Sequence, residues 1–131
     1  MLGLFLRLLQ NIYTPICYTL LVMGLLCLPG TAIPDLGEFS FEYFDKVVHF
    51  ALFGMLAFLW SFYFFKRQPG LSKAAIIIWV ILCAILLGIC MEFVQFYFVP
   101  FRDFDPWDIV ANSLGAIVTA MVFVRYYREQ V

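Results

Sequence analysis

Charged residues are scarce in this sequence. Asp, Glu, Lys and Arg make up 13% of the 131 residues, and there is a single histidine. A soluble domain has about 25% charged residues, so this scarcity excludes an ordinary water-soluble domain. Hydrophobic residues instead make up 65% of the chain, including 16 phenylalanines, and the mean hydropathy is +0.98. The composition therefore predicts an integral membrane protein.

Polar interruptions of the apolar sequence are also few, and they leave four long apolar runs. These runs are Ile12–Leu28, Val47–Phe65, Ala74–Phe98 and Ile109–Tyr127. A transmembrane helix needs about 20 mostly apolar residues, and each run approaches or exceeds that length. The runs do not alternate apolar and polar residues, which excludes strands of a membrane barrel. We predict an all-α membrane protein: one domain, residues 1–131, folded as a bundle of four transmembrane helices.

A cleaved signal peptide is the alternative interpretation of the first run. Arg7 precedes this run, which ends in a stretch of small residues, as in a secretory signal. Pro15 and Tyr18 interrupt the run, however, and the cleavage pattern is poor. We therefore favour a retained helix.

The positions of the four cysteines argue against a disulfide framework. All four cysteines lie inside apolar runs: Cys17, Cys27, Cys83 and Cys90. An even cysteine count indicates disulfides only in a secreted, loop-rich chain. We expect buried free thiols here.

Basic residues are distributed unequally between the two sides that four helices would create. Six fall on one side and only Lys46 and Arg102 on the other; the six are Arg7, Lys66, Arg67, Lys73, Arg125 and Arg128. Cytoplasmic loops carry the excess of Lys and Arg. This predicts that both termini and the turn at residues 66–73 are cytoplasmic, in a bacterial inner membrane.

Three of the predicted helices carry polar stripes near their extracytoplasmic ends. Asp45 and His49 are four residues apart on the second helix, Glu92 and Gln95 are three apart on the third, and Asp108 and Asn112 are four apart on the fourth. Residues at these spacings share one helix face. Ionisable groups at membrane depth normally face the protein interior and a partner. We therefore expect the stripes to form one extracytoplasmic pocket, in which Asp45 hydrogen-bonds to His49.

Some of these residues also have ordinary structural interpretations. Asp105, Pro106 and Asp108 suit the N-cap, N1 and N3 positions of the fourth helix. Asn112 could simply hydrogen-bond between helices, and Arg102 could pair with Asp103 and Asp105.

Small residues on the third and fourth helices favour close packing between these two helices. Ala111, Gly115 and Thr119 recur at every fourth position of the fourth helix, and Ala84 and Gly88 do so on the third. The connection between these two helices is short. We expect them to form a close antiparallel pair.

The sequence resembles the VanZ-like family, named for a membrane protein of teicoplanin-resistant bacteria. The residues that carry the resemblance are Asp45, Lys46, His49, Phe50, Glu92, Gln95, Arg102, Asp108, Asn112 and Gly115, together with the LPG at 28–30. The resemblance implies a small multi-pass protein of the cell envelope and a possible connection with glycopeptide tolerance.

Two functional hypotheses concern envelope lipids or lipid-linked precursors. In the first, the pocket binds their polar heads through Lys46, Gln95, Arg102, Asp108 and Asn112. In the second, the protein is an intramembrane hydrolase or transferase in which His49 is the general acid or base, Asp45 orients it and Glu92 is a second acid or base. The second hypothesis is weaker because no serine, threonine or cysteine is placed beside His49 by sequence.

A third hypothesis is a metal or ion site. The carboxylates of Asp45, Glu92 and Asp108, together with His49, outnumber Lys46 and Arg102, so an empty pocket favours a cation or shared protons. One histidine with carboxylates suits calcium, magnesium or manganese better than zinc. The spacing is not a metal signature, so no residue is assigned as a ligand and the cofactor is left open. A nucleic-acid partner is not expected.

Overall fold

A computed structural model describes residues 7–32 and 41–128, and its regular structure in those ranges is helical. The helices are α1 (Tyr13–Leu26), a 3-10 turn (Gly30–Ala32), α2 (Phe41–Arg67), α3 (Lys73–Phe98) and α4 (Pro106–Arg128). The prediction of an all-α chain is confirmed for the described residues. Among these, α2, α3 and α4 are long and apolar enough to cross a membrane.

Helix α1 is shorter than the predicted transmembrane helix Ile12–Leu28. Its 14 residues extend about 21 Å, which is less than the apolar thickness of a bilayer. The surrounding segment nevertheless connects the two ends of the bundle. At one end the Arg67 Nε donates to the Gln10 carbonyl at 3.3 Å, and at the other the Gly30 N–H donates to the Pro100 carbonyl at 3.3 Å.

The other helices contain the predicted runs and extend beyond most of their ends. Helix α2 begins at Phe41 rather than at Val47. Asp45 and Lys46 can lie within the helix because they form ion pairs with Arg102 and Asp108 of the bundle. Residues 33–40, which precede this helix, lie outside the described part of the chain. Helix α4 begins at Pro106 because Asp105 caps it: the Trp107 N–H donates to the Asp105 carboxylate at 2.8 Å, as the sequence predicts.

The predicted antiparallel pair of α3 and α4 is present, with Gly88 of α3 against Asn112 of α4, but the closest backbone approach is between α2 and α4. A Cβ added to Gly115 would lie 2.1 Å from the Phe50 carbonyl oxygen of α2. A Cβ on Gly54 of α2 would lie 2.8 Å from the Thr119 hydroxyl of α4. The small residues of α4 thus serve the contact with α2, while Gly88 of α3 packs against Asn112. Helices α2 and α4 run parallel, and α3 runs antiparallel to both.

Basic and aromatic side chains meet at the end of the bundle where α2 ends and α3 begins. The Lys73 ammonium lies 4.6 Å from the centre of the Tyr127 ring and the Lys66 ammonium 5.5 Å from it. Phe65 packs edge-on against Tyr127, with ring centroids 5.2 Å apart. The polar residues of the predicted pocket lie at the opposite end.

The four cysteines are free, as predicted, but they are exposed on the outer surface of the bundle rather than buried. For a membrane helix this is the face that meets lipid, and an apolar thiol is compatible with it. The core of the bundle is instead filled by alanine, phenylalanine and aliphatic side chains.

Candidate functional site

The structure places the predicted polar residues of α2, α3 and α4 together at one end of the bundle. Five of them are at most 4% exposed: His49, Glu92, Gln95, Asp108 and Asn112. Buried polar groups of this kind are costly unless they contact one another. We call these five residues, together with Asp45, Lys46, Arg102 and Asp105, the polar cluster.

His49 lies at the centre of the polar cluster. Its Nδ1 is 3.1 Å from the Asn112 side-chain oxygen, which can only accept a hydrogen bond, so Nδ1 carries the hydrogen. Its Nε2 faces two carboxylates, 3.7 Å from Asp45 Oδ1 and 3.6 Å from Asp108 Oδ2. Within the described chain, Nε2 has no hydrogen-bond partner. The predicted hydrogen bond between Asp45 and His49 is therefore absent, and Asn112 on α4 orients the ring instead.

Lys46 links α2 to the beginning of α4. Its ammonium hydrogen-bonds to the carboxylates of both Asp105 and Asp108. Burial alone would raise the pKa of Asp105, but the hydrogen bonds from Lys46 and from the Trp107 N–H outweigh it and hold that pKa below its usual range. Asp105 therefore has two roles, as helix cap and as part of the polar cluster.

Arg102 lies at the rim of the polar cluster, on the loop between α3 and α4. Its Nη1 is 3.8 Å from Asp45 Oδ2, so it pairs with α2 rather than with Asp103 and Asp105 as expected. Its buried Nε has no hydrogen-bond partner among the residues described. The preceding Phe101 has a φ of 59° and its carbonyl lies against Gly30, which fixes the course of this loop.

The two polar residues of α3 contact backbone rather than side chains. Glu92 Oε2 accepts a hydrogen bond from the Asp105 N–H at 3.1 Å, and the buried Oε1 has no partner in the described ranges. Gln95 donates through Nε2 to the Leu26 carbonyl of α1 at 3.0 Å. Glu92 thus holds the entrance of α4, and Gln95 holds the end of α1.

The contacts of the polar cluster bear on the enzyme hypothesis. Ser113 follows Asn112 in sequence, but its hydroxyl donates to the Ile109 carbonyl of its own helix at 2.7 Å. Of the described side chains, only Asn112 hydrogen-bonds to His49. Among the described residues, no hydroxyl or thiol therefore hydrogen-bonds to His49 and could be activated by it as a nucleophile.

Comparison with known proteins shows the family of the chain. Residues 5–127 match the VanZ/LLP1 family. The chain belongs to the VanZ/LLP1 family. It is also similar to an uncharacterized protein of Schizosaccharomyces pombe, with 34% identity over 88 residues, which is 66% of this chain and 50% of the yeast protein. The chain thus spans about half the length of that relative. No solved structure matches it.

An apolar groove opens beside the polar cluster of this VanZ/LLP1 protein. It has a volume of about 430 Å³ and lies between α2 and α4, lined by Tyr43, Lys46, Trp107, Val110, Ala111 and Leu114. Apart from Lys46, none of these residues was predicted as part of a site. The aromatic pair Tyr43 and Trp107 at the two helix entrances is typical of a membrane interface and was the signal available in the sequence.

Proposed function

We propose that this VanZ/LLP1 membrane protein binds the polar head of a lipid or lipid-linked precursor of the cell envelope. The observation that carries the proposal is the position of Lys46, which belongs to the polar cluster and also lines the apolar groove between α2 and α4. An amphiphile needs these two environments side by side. The head group lies against the polar cluster, and an acyl or prenyl chain lies in the groove.

The contact with a phosphate or carboxylate of the head group is assigned to Arg102. The ammonium of Lys46 is already shared by Asp105 and Asp108, whereas Arg102 lies at the rim with an unpaired Nε. A guanidinium can bind an anionic oxygen pair through two parallel hydrogen bonds. The structural contacts of Gln95 and Asn112 give these two residues positioning roles, in place of direct ligand contact.

The proposed location is the bacterial inner membrane, with the polar cluster on the extracytoplasmic side. The support is the separation of charge: Lys66, Arg67 and Lys73 lie at the end of the bundle opposite to Asp105 and Asp108. The excess of basic residues marks the cytoplasmic side of a membrane protein. A role in glycopeptide tolerance rests on the resemblance alone, and teicoplanin susceptibility of a deletion strain is the assay for it.

Retention of co-purified lipid tests the proposal. The full chain is purified in a mild detergent, and the bound lipids are identified by mass spectrometry. Leu114→Trp fills the groove, and Val118→Trp places the same bulk one turn further along α4, where the side chain is also exposed. We expect the wild type and Val118→Trp to retain the lipid and Leu114→Trp to lose most of it.

Arg102→Gln tests the head-group contact, with Arg67→Gln as the matched change at the opposite end of the bundle. We expect at least a tenfold loss of retained lipid for Arg102→Gln and none for Arg67→Gln, because of these two arginines only Arg102 belongs to the polar cluster. Equal lipid retention in all four folded variants would overturn the proposal, as would a wild type that retains no lipid.

A further inference from the structure

The unpaired Nε2 of His49 and the two carboxylates beside it have the geometry of a metal site. One ligand atom from each of Asp45, His49 and Asp108 can be chosen so that all three lie within 4.8 Å of one another. His49 is 1% exposed, and Nε2 is the only nitrogen of the ring that the hydrogen bond to Asn112 leaves unused. Metal-binding histidines are held in this way, with the second ring nitrogen donating to an oxygen.

The distances distinguish a metal site from a simple ion pair. Nε2 lies 3.7 Å from Asp45 Oδ1 and 3.6 Å from Asp108 Oδ2, which is too long for a hydrogen bond. Around an ion with metal–ligand distances of about 2.1 Å, neighbouring ligands in a tetrahedron lie roughly 3.4 Å apart. The two distances from Nε2 are close to this spacing, and the three ligand atoms can lie within 4.8 Å of one another, so they can form three corners of such a site after the side chains move together.

Each of the two carboxylates divides its oxygens between His49 and a basic residue. Asp108 directs Oδ1 to Lys46 and Oδ2 to His49. Asp45 directs Oδ2 to Arg102, at 3.8 Å, and Oδ1 to His49. The outward oxygens are thus held by positive charges, and no described residue donates a hydrogen bond to the inward oxygens. A carboxylate held on one side by a partner is oriented for metal binding.

The charge balance of the polar cluster also favours a cation. Among the described residues, the cluster combines four carboxylates, those of Asp45, Glu92, Asp105 and Asp108, with two cationic side chains, Lys46 and Arg102. With all carboxylates ionised, the cluster carries two excess negative charges in a region of low dielectric constant. A divalent cation would neutralise them.

We propose that Asp45 Oδ1, His49 Nε2 and Asp108 Oδ2 bind one divalent transition-metal ion. Because an imidazole nitrogen supplies one of the three ligand atoms, the set suits Zn²⁺ or Mn²⁺ better than Ca²⁺ or Mg²⁺, which prefer oxygen ligands alone. This replaces the metal preference that the residue types alone had suggested. A water molecule or an anionic oxygen of a ligand completes the coordination. The proposal stands on these three side chains and does not depend on lipid binding, but a bound cation would also make the polar cluster more favourable to a phosphate.

Metal content of the full chain is the test. The protein is purified in detergent through a tag that binds no metal, stripped with EDTA, dialysed and titrated with Zn²⁺ and with Mn²⁺. We expect one ion per chain in the wild type and in Asp103→Asn, an exposed carboxylate of the same region. His49→Gln and Asp108→Asn should lower the affinity by about 100-fold or more.

Two further measurements test the metal site on the wild type alone, so that the result does not depend on whether a variant folds. Thermal unfolding of the wild type should shift upward with Zn²⁺ or Mn²⁺ and not with Mg²⁺. X-ray absorption of the Zn²⁺ form should show one nitrogen ligand from imidazole among oxygen ligands. Failure of the stripped wild type to bind a stoichiometric ion, or equal affinity in His49→Gln and the wild type, would overturn the metal site. Because Leu114→Trp should keep the metal while losing lipid, failure of either proposal can be recognised separately.

Discussion

At the scale of single residues, Asn112 determines which ring nitrogen of His49 carries the hydrogen. We expect Asn112→Ala to lower the free energy of unfolding by about 1–3 kcal/mol, because the buried Nδ1 of His49 loses its acceptor. It should also lower the affinity for Zn²⁺ by about 10-fold or more, since the ring would no longer be held in one tautomer. Thermal unfolding and metal titration of the purified protein measure the two effects.

Ser113→Ala is the matched control for Asn112→Ala. The Ser113 hydroxyl bonds only to the Ile109 carbonyl one turn earlier in the same helix, so its loss should change stability by less than about 0.5 kcal/mol. Equal effects of the two substitutions would mean that the contact between His49 and Asn112 contributes nothing specific.

The residues of the candidate site could be predicted from the sequence, but their partners could not. Helical spacing correctly placed His49, Asp108 and Asn112 on inward faces, because ionisable and amide groups are costly in lipid. Helical spacing also predicted Asp45 as the partner of His49, because spacing within one helix indicates only which residues share a face. Which residue of α4 reaches the His49 ring depends on how α4 is rotated against α2. That rotation is set by packing between the helices, and it brings Asn112 to the ring.

At the scale of elements, the contact between α2 and α4 depends on Gly115. A Cβ at this position would lie 2.1 Å from the Phe50 carbonyl oxygen, and backbone cannot move aside as a flexible side chain can. We expect Gly115→Ala to push α2 and α4 apart and to lower stability by about 2–4 kcal/mol. It should also reduce metal binding, because Asp45 and His49 lie on α2 and Asp108 on α4.

Gly24→Ala provides the control within α1. Its added Cβ would meet nothing within 4 Å, and alanine is the better helix former. Thermal unfolding of both variants in the same detergent should show a lower midpoint for Gly115→Ala and an unchanged or slightly higher one for Gly24→Ala. A Gly115→Ala variant as stable as the wild type would contradict the close approach of the two helices.

The beginnings and ends of the helices were only partly predictable. The cap at Asp105 followed from the sequence because the Asp-Pro pair has a local effect on the backbone. The early beginning of α2 did not, because Asp45 and Lys46 look like loop residues until their partners across the bundle are known. Small residues on α4 correctly indicated close packing, but not that α2 approaches α4 more closely than α3 does.

At the scale of the whole molecule, the bundle separates two kinds of surface. One end combines lysines and arginines with aromatic rings, and the other holds carboxylates around His49. Composition alone predicted the helical membrane fold, since long apolar runs leave few alternatives. The length of α1 was the exception: its apolar sequence predicted a full transmembrane helix, whereas the structure ends the helix at Leu26 and continues toward Gly30 in a turn.

Labelling of single cysteines tests the proposed orientation of the bundle. The four native cysteines are free and outward-facing, so their replacement by alanine should leave the packing intact and provide a background without thiols. In that background, Asp103→Cys lies on the loop beside the polar cluster and Gln68→Cys lies on the turn after α2, and both positions are exposed. The positive-inside rule places the turn in the cytoplasm. We therefore expect a membrane-impermeant maleimide to label Asp103→Cys in intact cells and to label Gln68→Cys only after the membrane is permeabilised. Labelling of Gln68→Cys alone in intact cells would reverse the orientation and place the polar cluster, with the proposed metal and lipid sites, on the cytoplasmic side.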